Sequence, residues 1–147
     1  MVSWFVKQAL MDIAKATKTK VAEPTSRESW AKLMETLGVK GIHVAERDTQ
    51  RTKEPKPFGT FVNTWSVEGF YEEGIAPAEI GWGTHEKWMP ANAHSHHDDG
   101  PRNQICIARP GRETGGRSWV PAGEIRGMVV RHGEAYTMTD HLTVWQD

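Results

Sequence analysis

The hydrophobic positions of this chain change period from one end to the other. In Val2–Ala16, Val2, Phe5, Val6, Ala9, Leu10, Ile13 and Ala16 share one stripe, while Lys7, Gln8, Asp12 and Lys15 lie outside it. That spacing predicts an amphipathic helix whose apolar side packs on a neighbour. A polar connector follows over Lys18–Pro24. Thr25 and Glu28 then form a Thr-x-x-Glu capping pattern, Trp30, Leu33, Met34 and Leu37 carry a second helix, and Gly38 is placed to end it. Beyond this the period shortens. In Gly41–Glu46, Ile42 and Val44 alternate with His43 and Ala45, which predicts a strand with Glu46 at its end. Asp48–Pro57 is a charged, proline-containing loop, and Phe58–Trp65 reads as another strand. Ser66 is a candidate cap for a helix over Val67–Ile75, with Val67, Phe70, Tyr71 and Ile75 as its apolar side and Glu73 on a flank beside Gly69.

The second half is predicted to be mostly sheet. Gly81–Pro90 has two glycines around Trp82 and reads as a loop. Gln104–Ala108, Arg117–Val120, Glu124–Val130 and Glu134–Val144 are apolar or alternating runs, separated by the turn signals RPGRETGG, PAG and HG. Short connections favour antiparallel pairing. The expected fold is α+β: a mainly antiparallel sheet with N-terminal helices packed on it, in one domain spanning residues 1–147.

Composition narrows the function classes. The 147 residues carry 18 basic and 19 acidic side chains with no basic stripe, which argues against nucleic acid as a partner. The single cysteine, Cys106, sits in the apolar run Ile105-Cys106-Ile107-Ala108, so it reads as a structural thiol in a reducing compartment. No apolar run approaches a membrane span, and Lys7, Asp12 and Lys15 interrupt any signal-peptide pattern. A cytoplasmic protein is expected. The first helix starts almost at residue 1 with little room for a cap, a hint of missing upstream chain.

The most distinctive stretch is Thr60–Pro90, which holds three of the seven tryptophans and five carboxylates. Aromatic faces beside carboxylates suit an organic cation, through cation–π attraction and ion pairing; a tryptophan-rich core segment with solvated glutamates has the same composition. His94, His96, His97, Asp98 and Asp99 offer metal ligands, but their spacing matches no zinc motif and the run ends in Gly-Pro like a turn. No bound metal is expected. No Gly-x-Gly-x-x-Gly run occurs, so the chain carries no dinucleotide turn of its own.

Taken in order, NTWSVEGFYEEG, GWGTHEKWMP, RSWVP at Arg117–Pro121 and RHGEAYTMTDHLTV at Arg131–Val144 resemble bacterial homospermidine synthase, over nearly the whole chain. The resemblance implies a saccharopine dehydrogenase-like fold and the middle of an enzyme whose NAD-binding domain lies outside this chain. It implies a reaction in which tightly held NAD stores a hydride: putrescine is oxidised to an imine, ammonia leaves, a second putrescine condenses, and the new imine is reduced. Carried over residue by residue, it implies a pocket of Glu46, Trp65, Glu73, His132 and Glu134. Trp65 would face a cationic centre, Glu46 and Glu73 would anchor ammonium groups, and His132 with Glu134 would handle protons. A homo-oligomer is implied for the whole enzyme. Two other classes remain on the residues alone: a non-catalytic diamine-binding or assembly domain, and a metal-dependent hydrolase using the His94–Asp99 cluster.

Overall fold

A computed structural model describes residues 1–46, 49–83, 86, 89–95 and 104–144. Helix α1 spans Val2–Ala16, and the i,i+4 pair Leu10 and Ala14 forms its buried seam. Its last turn is closed by Thr17, whose hydroxyl donates to the Ile13 carbonyl at 2.9 Å. Helix α2 spans Arg27–Leu37. Its capping box lies one residue later than the Thr25–Glu28 pattern suggests. The Ser29 N–H donates to Ser26 Oγ at 3.2 Å, and the Ser26 N–H donates to Ser29 Oγ at 2.9 Å. Gly38 ends α2 at φ +66, and the Val39 N–H reaches back to the Met34 carbonyl at 3.0 Å, the six-to-one bond of a Schellman motif.

Helix α3 is Val67–Ile75, as the pattern predicts. Strand β1, Pro77–Gly81, follows after one residue. Strands β2 (Ala93–Ser95) and β3 (Gln104–Pro110) complete an antiparallel sheet of order β1-β3-β2. Ala78 pairs with Ile107, Glu79 with Cys106 and Ile80 with Ile105, while His94 on β2 also pairs with Cys106. Alternation therefore puts Ala78, Ile80, Ile105 and Ile107 on one face and Glu79, Cys106 and His94 on the other. A 3₁₀ turn, Gly111–Glu113, leads into a separate hairpin of β4 (Gly115–Val120) and β5 (Gly123–Met128). Glu124 holds Arg117 and Arg126 at 2.7 and 2.8 Å on that hairpin.

Gly133–Leu142 is a helix, α4, where alternation predicted a strand over Glu134–Val144. Thr137, Thr139 and the aromatic Tyr136 have strand character locally. Their cost in a helix is outweighed by packing, because Thr139 and Leu142 are buried in α4. Leu142 joins Leu10, Ala14, Trp30, Leu33 and Met34 in the principal core. Gly81 admits α4 onto β1: a Cβ there would lie 2.1 Å from Thr139 Cγ2 and 2.9 Å from the Ala135 carbonyl oxygen. The α+β class and the antiparallel pairing stand, and α1 and α2 reach the sheet chiefly through α4. The strands expected at Gly41–Glu46 and Phe58–Trp65 are not formed. Both stretches are largely exposed and have no described strand beside them to complete a ladder.

Candidate functional site at the junction of two helices

The end of one loop and the start of two helices build the site. Ser66 caps α3 by accepting the Gly69 N–H at 2.9 Å. Trp65 stands just before this cap, and its ring meets Phe70 edge-on at 6.4 Å while Phe61 stacks on Phe70 at 5.8 Å. Trp65 and Phe70 therefore form a hydrophobic staple, which fixes where the chain enters α3. The ring also covers Gly69, where a Cβ would lie 2.8 Å from Trp65 Cζ3. Even so, Trp65 is 49% exposed, so part of the ring is open.

Glu73 lies one turn beyond Gly69 on the same side of α3 and is half-buried. The orientation of α3 departs from the expected one. Of the predicted apolar side, Val67, Tyr71 and Ile75 are exposed and Phe70 is partly buried, while Gly74 is buried and Glu73 is partly buried like Phe70. The Glu73 carbonyl accepts the Arg131 N–H at 3.3 Å, which ties the end of α3 to the start of α4. His132 is the N-cap residue of α4, so His132 and Glu134 occupy a helix start where a strand-entry turn was expected. The His132 Nδ1 is in direct contact with Glu134 Oε2. Glu134 in the first turn also complements the helix dipole.

Four of the five sequence-derived residues thus follow one connected path: Trp65 over Gly69, Glu73 one turn on, and His132 with Glu134 through Arg131. Glu46 is exposed outside any helix or strand, and no described contact draws it into this path. His94 is exposed on β2. His96, His97, Asp98 and Asp99 lie outside the described residues, as do His85 and Trp88. An open cleft of about 650 Å³ between the start of α1 and one face of α4 is lined by Trp4, Lys7, Glu134 and His141 among others, so Glu134 borders two surfaces.

Three residues of the neighbourhood escape the sequence reading. Glu79 on β1 has a fully buried side chain, and Arg131 Nε lies 3.5 Å from its Oε1. The Tyr136 hydroxyl is held above the usual tyrosine range, first by burial and then by its hydrogen bond to Glu79 and the negative charge there. The Cys106 thiol is also pushed up, by burial and then by Glu79, which suits an inert thiol. The available signal was one acid between Ala78 and Ile80. The proline and glycine at the ends of this five-residue strand conceal it.

Comparison with known proteins places these elements. The model of the saccharopine dehydrogenase C-terminal domain matches residues 1–145. Homospermidine synthases of Mesorhizobium japonicum and Blastochloris viridis are each 56% identical, over 98% of this chain and 30% of their own length. The crystal structure of homospermidine synthase from Legionella pneumophila in complex with NAD superposes with a TM-score of 0.84 at 46% identity, over 97% of this chain and 31% of that one. The chain therefore spans about a third of the relatives it matches, and it belongs to the saccharopine dehydrogenase C-terminal domain family.

Proposed function

We propose that this chain is the diamine-binding part of a homospermidine synthase, joining two putrescines into homospermidine. The observation that carries this reading is the path from the half-open Trp65 ring past Glu73 to the His132–Glu134 contact. Its residue types match what the chemistry needs. An alkylammonium group is held by an aromatic face and by carboxylates. A reacting amine, with an ordinary pKa of about 10.4, must lose its proton before its carbon can be oxidised, so a proton acceptor has to stand within hydrogen-bond reach. The imidazole of His132, oriented by Glu134, is such an acceptor. Trp65 would stabilise the cationic centre and Glu73 the distal ammonium, with Glu46 as a second anchor for an ammonium group.

The phosphate turn of a dinucleotide domain is not among these residues: no Gly-x-Gly-x-x-Gly run occurs in the sequence. NAD, present in the Legionella structure, would be held by parts of such an enzyme outside the span matched here. No helix among the described residues is long and apolar enough to cross a membrane. We place the working enzyme in the cytoplasm as a homo-oligomer, with no nucleic acid or membrane partner.

The test is a chimera in which this chain replaces the matching span of the Blastochloris viridis enzyme, 56% identical to it. Trp65→Phe keeps a weaker aromatic face, and Trp65→Leu keeps only bulk. Turnover of putrescine is expected to fall in the order Trp, Phe, Leu. A desolvated cation–π contact of about 2 kcal/mol corresponds to about a 30-fold loss for Leu. Thermal melts of the three proteins are expected to stay close together. Undiminished turnover in a folded Leu variant would sink the assignment.

A further inference from the structure

We propose that Glu79 is the positioning residue of the α3–α4 junction, gripping the chain on both sides of His132-Gly133-Glu134 so that His132 and Glu134 are held in place where Arg131 joins the end of α3. This role rests on the function proposed above for those residues.

The first observation is where the grip falls. The Glu79 carboxylate meets Arg131, immediately before His132, and the hydroxyl of Tyr136, one turn into α4. Four residues lie between them, His132 to Ala135, and they include both residues assigned to proton handling, His132 and Glu134. The second observation is that α4 lacks a cap of its own. Among the described residues, the side chain of the N-cap His132 makes no capping hydrogen bond, in contrast to Ser26 on α2 and Ser66 on α3. Its imidazole is engaged with Glu134 instead, so the start of α4 has to be registered from outside. The third observation is that Arg131 also joins α3, through its N–H on the Glu73 carbonyl. One residue therefore carries both the tie to β1 and the tie to α3.

Strand β1 supplies a rigid base for this grip. Glu79 and Gly81 are two apart and share a face. Gly81 lets α4 approach through the Ala135 carbonyl and the Thr139 side chain, and Glu79 holds the residues at the start of the same helix. A small apolar residue at 79 would fill a strand position without the cost of burying a charge. It would leave Arg131 and Tyr136 without their common partner. Burial of a carboxylate here is accounted for by the orientation it imposes on two polar groups.

The test has two parts. In this chain itself, Glu79→Gln keeps the shape and an acceptor for Tyr136 but removes the charge that holds Arg131. Amide hydrogen exchange is expected to rise on the order of tenfold at residues 131–134 and to stay unchanged in the centres of α1 and α2. A uniform rise across all helices would mean that Glu79 only supports global stability, and would overturn the proposal. In the chimera, Glu79→Gln is expected to lower kcat for putrescine on the order of 10- to 100-fold, with KM nearly unchanged. Glu79→Gln together with Arg131→Gln removes both charges at once; it should remain folded and remain slow. Wild-type kcat in either protein overturns the positioning role. His132→Ala and Trp65→Leu serve as controls. If both keep full turnover, the function proposed above fails and this role fails with it. If both lose turnover while the Glu79 variants keep it, only this inference fails.

Discussion

Two tryptophans that each belong to the start of a helix meet opposite fates. Trp30, in the first turn of α2, is 7% exposed and packs in a core with Leu10, Leu33, Met34 and Leu142. Trp65, just before α3, is 49% exposed and lies over a glycine. Around Trp30, three helices bring apolar seams together, and Lys7 Nζ lies over the ring, 5.2 Å from its centre. Around Trp65, Phe70 is partly buried, Val67, Tyr71 and Ile75 of the apolar side of α3 face out, and Gly74 is buried beside the partly buried Glu73. The helical core uses its rings to exclude water. The α3 flank leaves the Trp65 ring half exposed, an arrangement with little benefit for stability and the one that the proposed cation site would use.

The contrast is broken most directly by truncating one side chain in each region. Leu33→Ala is expected to cost about 2–5 kcal/mol in urea unfolding of this chain, because Leu33 is 3% exposed in the core. Trp65→Leu, by the same measurement, is expected to cost about 1 kcal/mol or less, since only a staple contact is weakened. Equal losses would place Trp65 in the core and remove the distinction. An intermediate effect is expected where the two regions are joined. Gly81→Ala forces a methyl against Thr139 and should cost about 1–3 kcal/mol, with altered exchange along α4. A neutral result would mean that β1 does not seat α4 as closely as described.

The smallest expected effect is a pH dependence on the core side. The Glu28 carboxylate is held below its ordinary value, first by its own backbone N–H and then by Ser26. A group with a lowered folded-state pKa contributes stability above its unfolded pKa and loses that contribution as pH falls through the folded value. Glu28→Gln should therefore slightly lower stability above the ordinary carboxylate range and flatten the acid limb of the stability–pH curve, so that the two curves converge as pH falls. An unchanged acid limb would remove Glu28 from the account.

Legibility followed the same division. The bounds of α1 and α3 could be read directly, and Ser66 and Gly38 were recognisable as cap and stop, because these signals act within one turn. At the start of α2, Thr25 and Ser26 are both competent caps; Ser29 decides for Ser26 by returning a hydrogen bond. The failures were non-local. Alternation in Glu134–Val144 resembles a strand, yet burial of Thr139 and Leu142 makes it α4. Alternation in Gly41–Glu46 and Phe58–Trp65 has no described partner strand and yields none.

The candidate site divides in a similar way. Motif order carried Trp65, Glu73, His132 and Glu134 as members of one family pattern, and the fold links them through Arg131. Glu79 could not be read as their support, because its partners Arg131 and Tyr136 lie more than fifty positions away. By itself the sequence determined the local elements with strong end signals, the α+β class and the family, since each depends on neighbouring residues or on residue order. Only the tertiary structure decided which side of α3 turns inward, that the last segment is a helix, and that one buried carboxylate grips the start of α4. Those outcomes depend on which surfaces meet, and a carboxylate becomes an anchor only when folding removes its water and supplies its partners.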